Sequence, residues 1–600
     1  MLAIAIRAGV NIRNICGGKG NCGKCKAIVR KGKTDFKYDP QEKLLTTEEI
    51  GQGYVLACQT ICKTDCEVLI PPESRIEGQK ILSEAVIPEI KVNPIVRKLF
   101  VPPQKLSGLN HEQLIIKLQS LVKVQEVHAS LDLKLKSIKN RCGVEGLTLI
   151  IATVEPRGIL DIEVGDTTKI NFGLAIDIGT TKVTLYLVDL VTGKIIGSES
   201  DYNRQLAYGE DLVSRVGYTV DRPEGAKNMQ EAAIKTINYL VDRVAALHKV
   251  QKGWITEVCI AGNTVMTYLF VGEDASLLLT PEVEIPRAQL TRAAQSIGLD
   301  INPEAKVYCL PCVSRFLGGD AVCGVLLSQM YESEEISLLI DIGTNVEAII
   351  GSSGWSLSSS APAGPALEGW GIRFGIRSVE GAIDHLNVDP STLKASYTVL
   401  GENGPKGICG SGLIDLMAEM FRNGILDSLG KINKKLDSPY LRHGEDGYEY
   451  VVVQAPETSI SRDIVITEKD IMNLIDSKAA ACSTMAVMLK KMSLSVDDIV
   501  KVYVCGAFAN YMDLNSAMAI GLLPEFPKAQ VTYLGNGSVS GAYLALVSQE
   551  QMEKAKEIAH LTTYFDLLKD ADFMDEYTAA YSIPGKRELF PTWWETSRKR

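Results

Sequence analysis

Apolar and polar positions along the chain fall into short runs that glycine or proline interrupts. Leu114–Leu121 carries its apolar residues at helical spacing and predicts a helix. Leu147–Thr153 and Gly158–Val164 are apolar runs rich in β-branched residues and predict a pair of strands. One pattern occurs twice. Leu174-Ala175-Ile176-Asp177-Ile178-Gly179-Thr180-Thr181-Lys182 runs on into Val183–Val188, and Leu338-Leu339-Ile340-Asp341-Ile342-Gly343-Thr344-Asn345 runs on into Val346–Ile350. Each copy predicts strand, glycine turn, strand. One copy is what an ordinary hairpin could carry, but two copies of Ile-Asp-Ile-Gly-Thr point to an internal duplication.

The chemistry of the repeated phrase suits a polyphosphate. Glycine lets backbone approach a ligand closely, and threonine hydroxyls with turn N–H groups can hold phosphate oxygens. A carboxylate at a strand end can hold hydrated Mg²⁺. Two such hairpins facing each other would grip one polyphosphate from both sides. Further turns follow the same style. Asn203–Leu212 predicts a helix with an acidic first turn. Val258–Met266 reads as strand, Gly262 turn and helix start, an anion site unless Asn263 or Thr264 merely caps the helix. Leu317–Gly324 and Asn536–Ala542 begin helices of small residues. Gly410-Ser411-Gly412 opens an apolar helix and could touch phosphate or ribose, and Val502–Asn510 is a strand followed by a small-residue turn.

At 600 residues the chain predicts several domains. Its net charge of −10, with basic residues dispersed, gives no sign of nucleic acid or an anionic membrane as partner. No run of apolar residues is long enough to span a bilayer, and Met1–Arg7 lacks a basic leader. A cytoplasmic protein is the default expectation, with its fourteen cysteines as thiols or metal ligands.

The densest of these is Cys16-Gly17-Gly18-Lys19-Gly20-Asn21-Cys22-Gly23-Lys24-Cys25, followed by Cys58 in Ala57-Cys58-Gln59. Three thiols on one glycine-rich loop and a fourth from afar suit a two-iron, two-sulfur cluster, with zinc as the rival. Glycine leaves N–H groups free to bond sulfur. The spacing resembles adrenodoxin-type ferredoxins, one residue longer than the plant-type loop. Cys62 and Cys66 are expected to be bystanders. Leu2–Val10 looks like the helix that leads into such a loop, so the opening hairpin of the fold is missing and a sheet edge is expected to lie uncovered. Residues 73–95 are charged and Pro-containing, as a linker would be.

The duplicated hairpins resemble the two phosphate loops of the acetate/sugar kinase–Hsp70–actin ATPase superfamily. That resemblance implies that Leu317–Gly324 and Asn536–Ala542 join two lobes and that Gly506 and Ala507 form the adenosine loop. Ala507 stands where the superfamily usually has a second glycine. Four phrases carry a further resemblance over nearly the whole chain, to the reductive activators of corrinoid proteins. They are the Cys16–Cys25 loop, Tyr208-Gly209-Glu210-Asp211, Ile340–Asn345 and Gly521-Leu522-Leu523-Pro524.

This family implies a multidomain α/β chain. A β-grasp 2Fe-2S ferredoxin-like domain would span 1–72, a linker 73–95 and a small α/β docking or spacer domain 96–168. A two-lobed actin/Hsp70-like (ribonuclease H-like) ATPase would span 169–600. The implied function is ATP-dependent reduction of a corrinoid protein from Co(II) to Co(I), ready for methyl transfer. Cys16, Cys22, Cys25 and Cys58 would hold the cluster. Asp177 and Asp341 would bind Mg²⁺ through water and orient the attacking water. Thr180, Thr181, Lys182, Thr344 and Asn345 would hold phosphates beside Gly179 and Gly343, with Asn263, Thr264, Gly410, Ser411 and Gly412 as further nucleotide contacts. A homodimer and an external electron donor are implied as well. The rival functions are an activator of a radical dehydratase, which would use a four-iron cluster, and a small-molecule kinase with a regulatory cluster.

Overall fold

The computed structural model describes residues 1–7, 12, 20, 23, 25–36, 44–71, 74, 87–123, 129–154, 157–280, 283–343, 345–506 and 511–598. Two compact units emerge. The first comprises Met1–Ile76, Pro88–Cys323 and Ser538–Ala559, and the second contains Gly324–Gly537 and His560–Arg600.

The first unit begins with the helix Leu2–Arg7 and five short strands, β1 Lys26–Lys31, β2 Thr34–Phe36, β3 Tyr54–Leu56, β4 Thr60–Cys62 and β5 Glu67–Leu69. β1 lies between β3 and β5, antiparallel to both, and β2 pairs with β4. Leu2, Ala27, Val55, Leu56 and Ala57 form a small core that also encloses Cys25 and Cys58. A second small sheet follows, β6 Val96–Val101, β7 Leu147–Ala152 and β8 Gly158–Val164, antiparallel throughout. The expected helix is there as His111–Val122, fixed at its start by an Asn110–Gln113 capping box. It buries Leu114 and Leu118 with Leu135 and Leu149.

The larger sheet of this unit runs β11-β10-β9-β12-β14-β13, with β9 Phe172–Ile178, β10 Lys182–Asp189, β11 Ile195–Tyr202, β12 Ile255–Ala261, β13 Leu290–Ala293 and β14 Lys306–Cys309. β9 and β12 sit inside and are buried on both faces, which is why they read as continuous apolar runs. The helix Gly225–His248 lays Met229, Ala233, Ile237, Leu240 and Val244 on the sheet's core.

The sheet of the second unit runs β25-β24-β15-β16-β17-β26. Its strands are β15 Ser337–Ile342, β16 Asn345–Ser352, β17 Trp355–Pro362, β24 Lys501–Cys505, β25 Gln530–Gly535 and β26 Thr562–Tyr564. In each unit a hairpin-linked antiparallel trio is continued by parallel strands on its first member: β9-β10-β11 with β12 and β14, and β15-β16-β17 with β24 and β25. The duplication seen in the repeated Ile-Asp-Ile-Gly-Thr phrase is therefore a duplication of the sheet. Two smaller sheets, one of β18 Ala382–Val388, β19 Ala395–Val399 and β20 Gly407–Ile408, the other of β21 Leu441–Gly444, β22 Gly447–Val453 and β23 Ile464–Thr467, complete this unit's core with the helices Gly410–Arg422 and Glu468–Lys491.

Asn203–Leu212 opens a helix as expected, but only at its last residue. A short 3₁₀ turn spans Arg204–Ala207, and the α-helix starts only at Leu212, with Asp211 as its cap rather than in its first turn. Among the described residues no helix is long and apolar enough to cross a membrane.

Candidate functional site: two glycine hairpins and a buried cysteine pair

In the first unit Asp177, the last residue but one of β9, lies opposite Thr184 of β10, and Gly179, Thr180 and Thr181 make the turn. A Cβ on Gly179 would lie 2.6 Å from the Lys182 carbonyl oxygen, so the tight return of the chain excludes any side chain there. β12 runs parallel to β9 with Ala261 beside Asp177, which brings Gly262, Asn263 and Thr264 to the same sheet end. The segment before the helix Gly319–Ser328 closes on that turn backbone to backbone: a Cβ on Gly318 would sit 2.3 Å from the Gly262 oxygen. Asp320, in the helix's first turn, thus arrives near the same place. Loss of hydration pushes its carboxyl up to about 6, against the Ala321 N–H bonded to it at 2.9 Å.

Asn263 and Thr264 are occupied with the fold. The Asn263 carbonyl oxygen accepts from the Val265 N–H at 3.1 Å while its amide donates to Phe316 O at 2.6 Å. The Thr264 hydroxyl, fully buried, donates to Ser314 O at 2.6 Å. Asn263 thus caps the helix Thr264–Val271, while Thr264 fastens the Ser314–Leu317 segment.

In the second unit Asp341, the last residue but one of β15, lies opposite Glu347, a buried carboxylate on β16. The turn is shorter than its twin: Gly343 N–H donates to the Asn345 oxygen at 3.0 Å, and Thr344 lies outside the described residues. Space around Gly343 is ordinary, its nearest outside atoms being the Asn345 oxygen and Glu368 Oε1 at 3.8 Å from an added Cβ. β24 is parallel to β15 with Cys505 beside Asp341. Gly506 follows at φ +115°, where a Cβ would be 2.5 Å from the Ile342 oxygen and 3.1 Å from Asp341 Oδ1. Only glycine fits this left-handed, crowded position. Ala507 lies outside the described residues.

Gly410, Ser411 and Gly412 are buried at the start of the helix Gly410–Arg422. A Cβ on Gly412 would meet the Ile383 oxygen at 2.5 Å, and the Ser411 hydroxyl lies 3.5 Å from Cys409 Sγ. At Gly412 the glycine lets the helix pack closely on the strand that carries Ile383. A cavity of about 1030 Å³ in the same unit, lined by His385, Asp415, Tyr511 and Trp593 among others, contains none of the expected nucleotide residues.

Of the four expected cluster ligands, Cys16 and Cys22 lie outside the described residues. Cys25 and Cys58 are buried side by side: the Cys58 N–H points at Cys25 Sγ at 3.5 Å, and the Gln59 amide lies 3.5 Å from Cys58 Sγ. N–H donors grouped around two sulfurs suit thiolates of an iron–sulfur cluster. A Cβ on Gly20 would be 2.7 Å from Gln59 Nε2, so the glycine of the loop makes room for that amide. Burial and contact with the Cys66 thiol push the Cys62 thiol up.

Sequence reasoning overlooked Asp320, Glu347 and Glu368. Only Asp320 had a local signal, as an acid in the first turn of a predicted helix; the others depend on register and on contacts distant in sequence.

Comparison with known proteins covers most of the chain. Residues 1–63 match the 2Fe-2S iron-sulfur cluster binding domain, 172–333 the RACo middle region, and 335–593 the C-terminal domain of RACo, the ASKHA domain. The chain is 29% identical over 586 residues to the corrinoid activation enzyme RamQ of Eubacterium limosum, covering 95% of this chain and 93% of that protein. It is 22% identical over 427 residues to the [Co(II) methylated amine-specific corrinoid protein] reductase of Methanosarcina barkeri, covering 65% and 73%. Among solved structures, a reductive activator for corrinoid, iron-sulfur protein aligns with a TM-score of 0.76 and 36% identity, covering 98% of this chain and 97% of that one. With the cysteine pair, the duplicated hairpin and this full-length likeness together, the chain belongs to the family of reductive activators of corrinoid proteins.

Proposed function

We propose that this chain reactivates a corrinoid protein by passing one electron from a 2Fe-2S cluster to Co(II), giving Co(I), with ATP as the driver. The observation that carries this reading is the union of a 2Fe-2S domain and a duplicated phosphate hairpin in one chain of this family. Its relatives bear the names corrinoid activation enzyme and corrinoid protein reductase.

When bound, the cluster supplies one-electron chemistry and Mg-ATP a change in binding free energy. Co(I) is a strong reductant, so transfer to Co(II) from an ordinary cluster is uphill. About 1.4 kcal/mol of differential binding moves a one-electron couple by about 59 mV.

In this reading Cys16, Cys22, Cys25 and Cys58 hold the cluster, supported by the burial and N–H surroundings of the last two. Asp177 and Asp341 hold Mg²⁺ through water. Thr180, Thr181, Lys182, Thr344 and Asn345 hold phosphates, and Gly506 clears space beside Asp341. Residues 1–72 form the cluster domain, 73–95 the linker, 96–168 a docking domain and 169–600 the ATPase. The protein acts in the cytoplasm as a homodimer and draws electrons from an external donor.

The test is anaerobic. Chemically reduced protein is mixed with a corrinoid protein, with and without Mg-ATP, and Co(I) absorbance is followed. Co(I) should accumulate only with nucleotide. Equal accumulation without it removes ATP as the driver, and ATP turnover that rises with a small acid or sugar instead would favour a kinase.

A further inference from the structure

Tyr208-Gly209-Glu210-Asp211 has no part in the function as described, although it recurs in the resemblance. The structure explains it through Arg215, which is fully buried in the helix Leu212–Asp221. Its Nε donates to the Gly209 oxygen at 2.9 Å, one terminal nitrogen to Gln205 Oε1 at 3.2 Å, and the other to the carbonyl of Thr180 in the first hairpin turn. Asn203 does the same one residue earlier, its amide donating to the Gly179 carbonyl at 2.9 Å. Gln205 ties the two together, since Asn203 also donates to its Oε1, at 3.2 Å. A side chain at Gly209 would strike Ser214 Oγ at 2.6 Å, which accounts for the glycine, and Asp211 caps the helix that carries Arg215.

Both peptide bonds of the turn are trans. In a trans peptide the carbonyl and the following N–H point in opposite directions. Drawing the Gly179 and Thr180 carbonyls into the protein therefore turns the Thr180 and Thr181 N–H groups outward. Among the described residues neither N–H has an acceptor. Adjacent outward N–H groups make an anion-binding concavity.

A buried guanidinium bonded only to neutral acceptors is costly. Glu210 and Asp211 act on it only at a distance, and burial pushes it down to about 9. An anion on the far side of the turn would offset that cost.

We propose that Arg215 and Asn203 are positioning residues that set the first hairpin turn for the phosphates of a nucleoside polyphosphate, holding the carbonyl side of two peptides whose N–H groups face the ligand. The inference rests on the reading of Gly179–Lys182 as a phosphate loop.

The test is calorimetric binding of Mg-ATP, Mg-ADP and AMP to the holoprotein. Arg215→Gln should weaken ATP tenfold or more, ADP less and AMP little, with Arg215→Lys recovering part of the loss. If Arg215→Gln does not fold, Asn203→Ser is read in the same series, with a threefold or greater loss for ATP and none for AMP. Equal losses for all three ligands, or no loss, overturn the proposal. Asp177→Ala separates the two levels. If it leaves ATP binding intact, the phosphate-loop reading itself fails. If it weakens ATP while Arg215→Gln and Asn203→Ser do not, only the present inference falls.

Discussion

At Asp320 the folded protein keeps a proton that the unfolded chain gives up. Its carboxyl is raised by lost hydration from 3.8 to about 6. The folded state therefore binds more protons between these values. The stability this group contributes is complete below about pH 4 and disappears as pH rises through 6. Without nucleotide or metal, Asp320→Asn should be more stable than the parent by about 1–3 kcal/mol at pH 7.5, and the gap should close towards pH 4. Calorimetric melts in chelator across that range check it. A gap that ignores pH would mean that Asp320 is hydrated and ordinary. Asn263 and Thr264 show the opposite balance at the same sheet end, their polar atoms being already spent on Phe316 and Ser314.

Elements were legible where burial imposes a period on the sequence. The two hairpins stood out because β9 and β15 are internal strands and their apolar runs are unbroken. Asn203–Leu212 does open a helix, but its acidic residues precede the first turn, because Asp211 is the cap and a 3₁₀ turn occupies Arg204–Ala207. At Gly410–Gly412 the close packing of Gly412 on Ile383 was not legible, since glycine at a helix start carries no mark of what it approaches. Arg215 was invisible, as its partners lie up to 51 residues away, from Thr180 on one side to Met266 on the other.

The helices of small residues were legible in kind but not in partner. Gly541, in the helix Gly537–Val547, faces Cys323 of the helix Gly319–Ser328, where an added Cβ would be 2.4 Å from its Cβ and 2.5 Å from its Cα and oxygen. Gly541→Val should therefore cost about 1–3 kcal/mol through overpacking. Urea unfolding measures it, and Cys323→Ala should give no rescue because all three clashing atoms remain. Full rescue would place the crowding at the sulfur instead.

At the scale of the molecule, if the hairpins hold Mg-ATP as proposed, Asp341→Ala should keep a reducible cluster yet form no Co(I), because the cysteine pair and the hairpins belong to different sheets of the chain. Shortening the polar stretch within 76–91 should slow Co(I) formation with little change in ATP hydrolysis, as shown by parallel absorbance and phosphate-release traces. A matched fall in both rates would mean that this stretch serves the ATPase. Asn93 marks where such a deletion must stop, because its N–H donates to Val547 O at 2.7 Å and its oxygen accepts from the Gln549 N–H at 2.8 Å. That bond reaches a helix more than four hundred positions later in the chain. The first unit takes Ser538–Ala559 back after the second has been threaded through, and Tyr543 ties it to the Gly193 carbonyl at 2.7 Å. A chain emerging from the ribosome cannot finish its first unit until nearly all of it has been made. The usual order, N-terminal part first, is interrupted here, and a gene split between the two matched regions would yield an N-terminal product that waits, unfinished, for its missing helix.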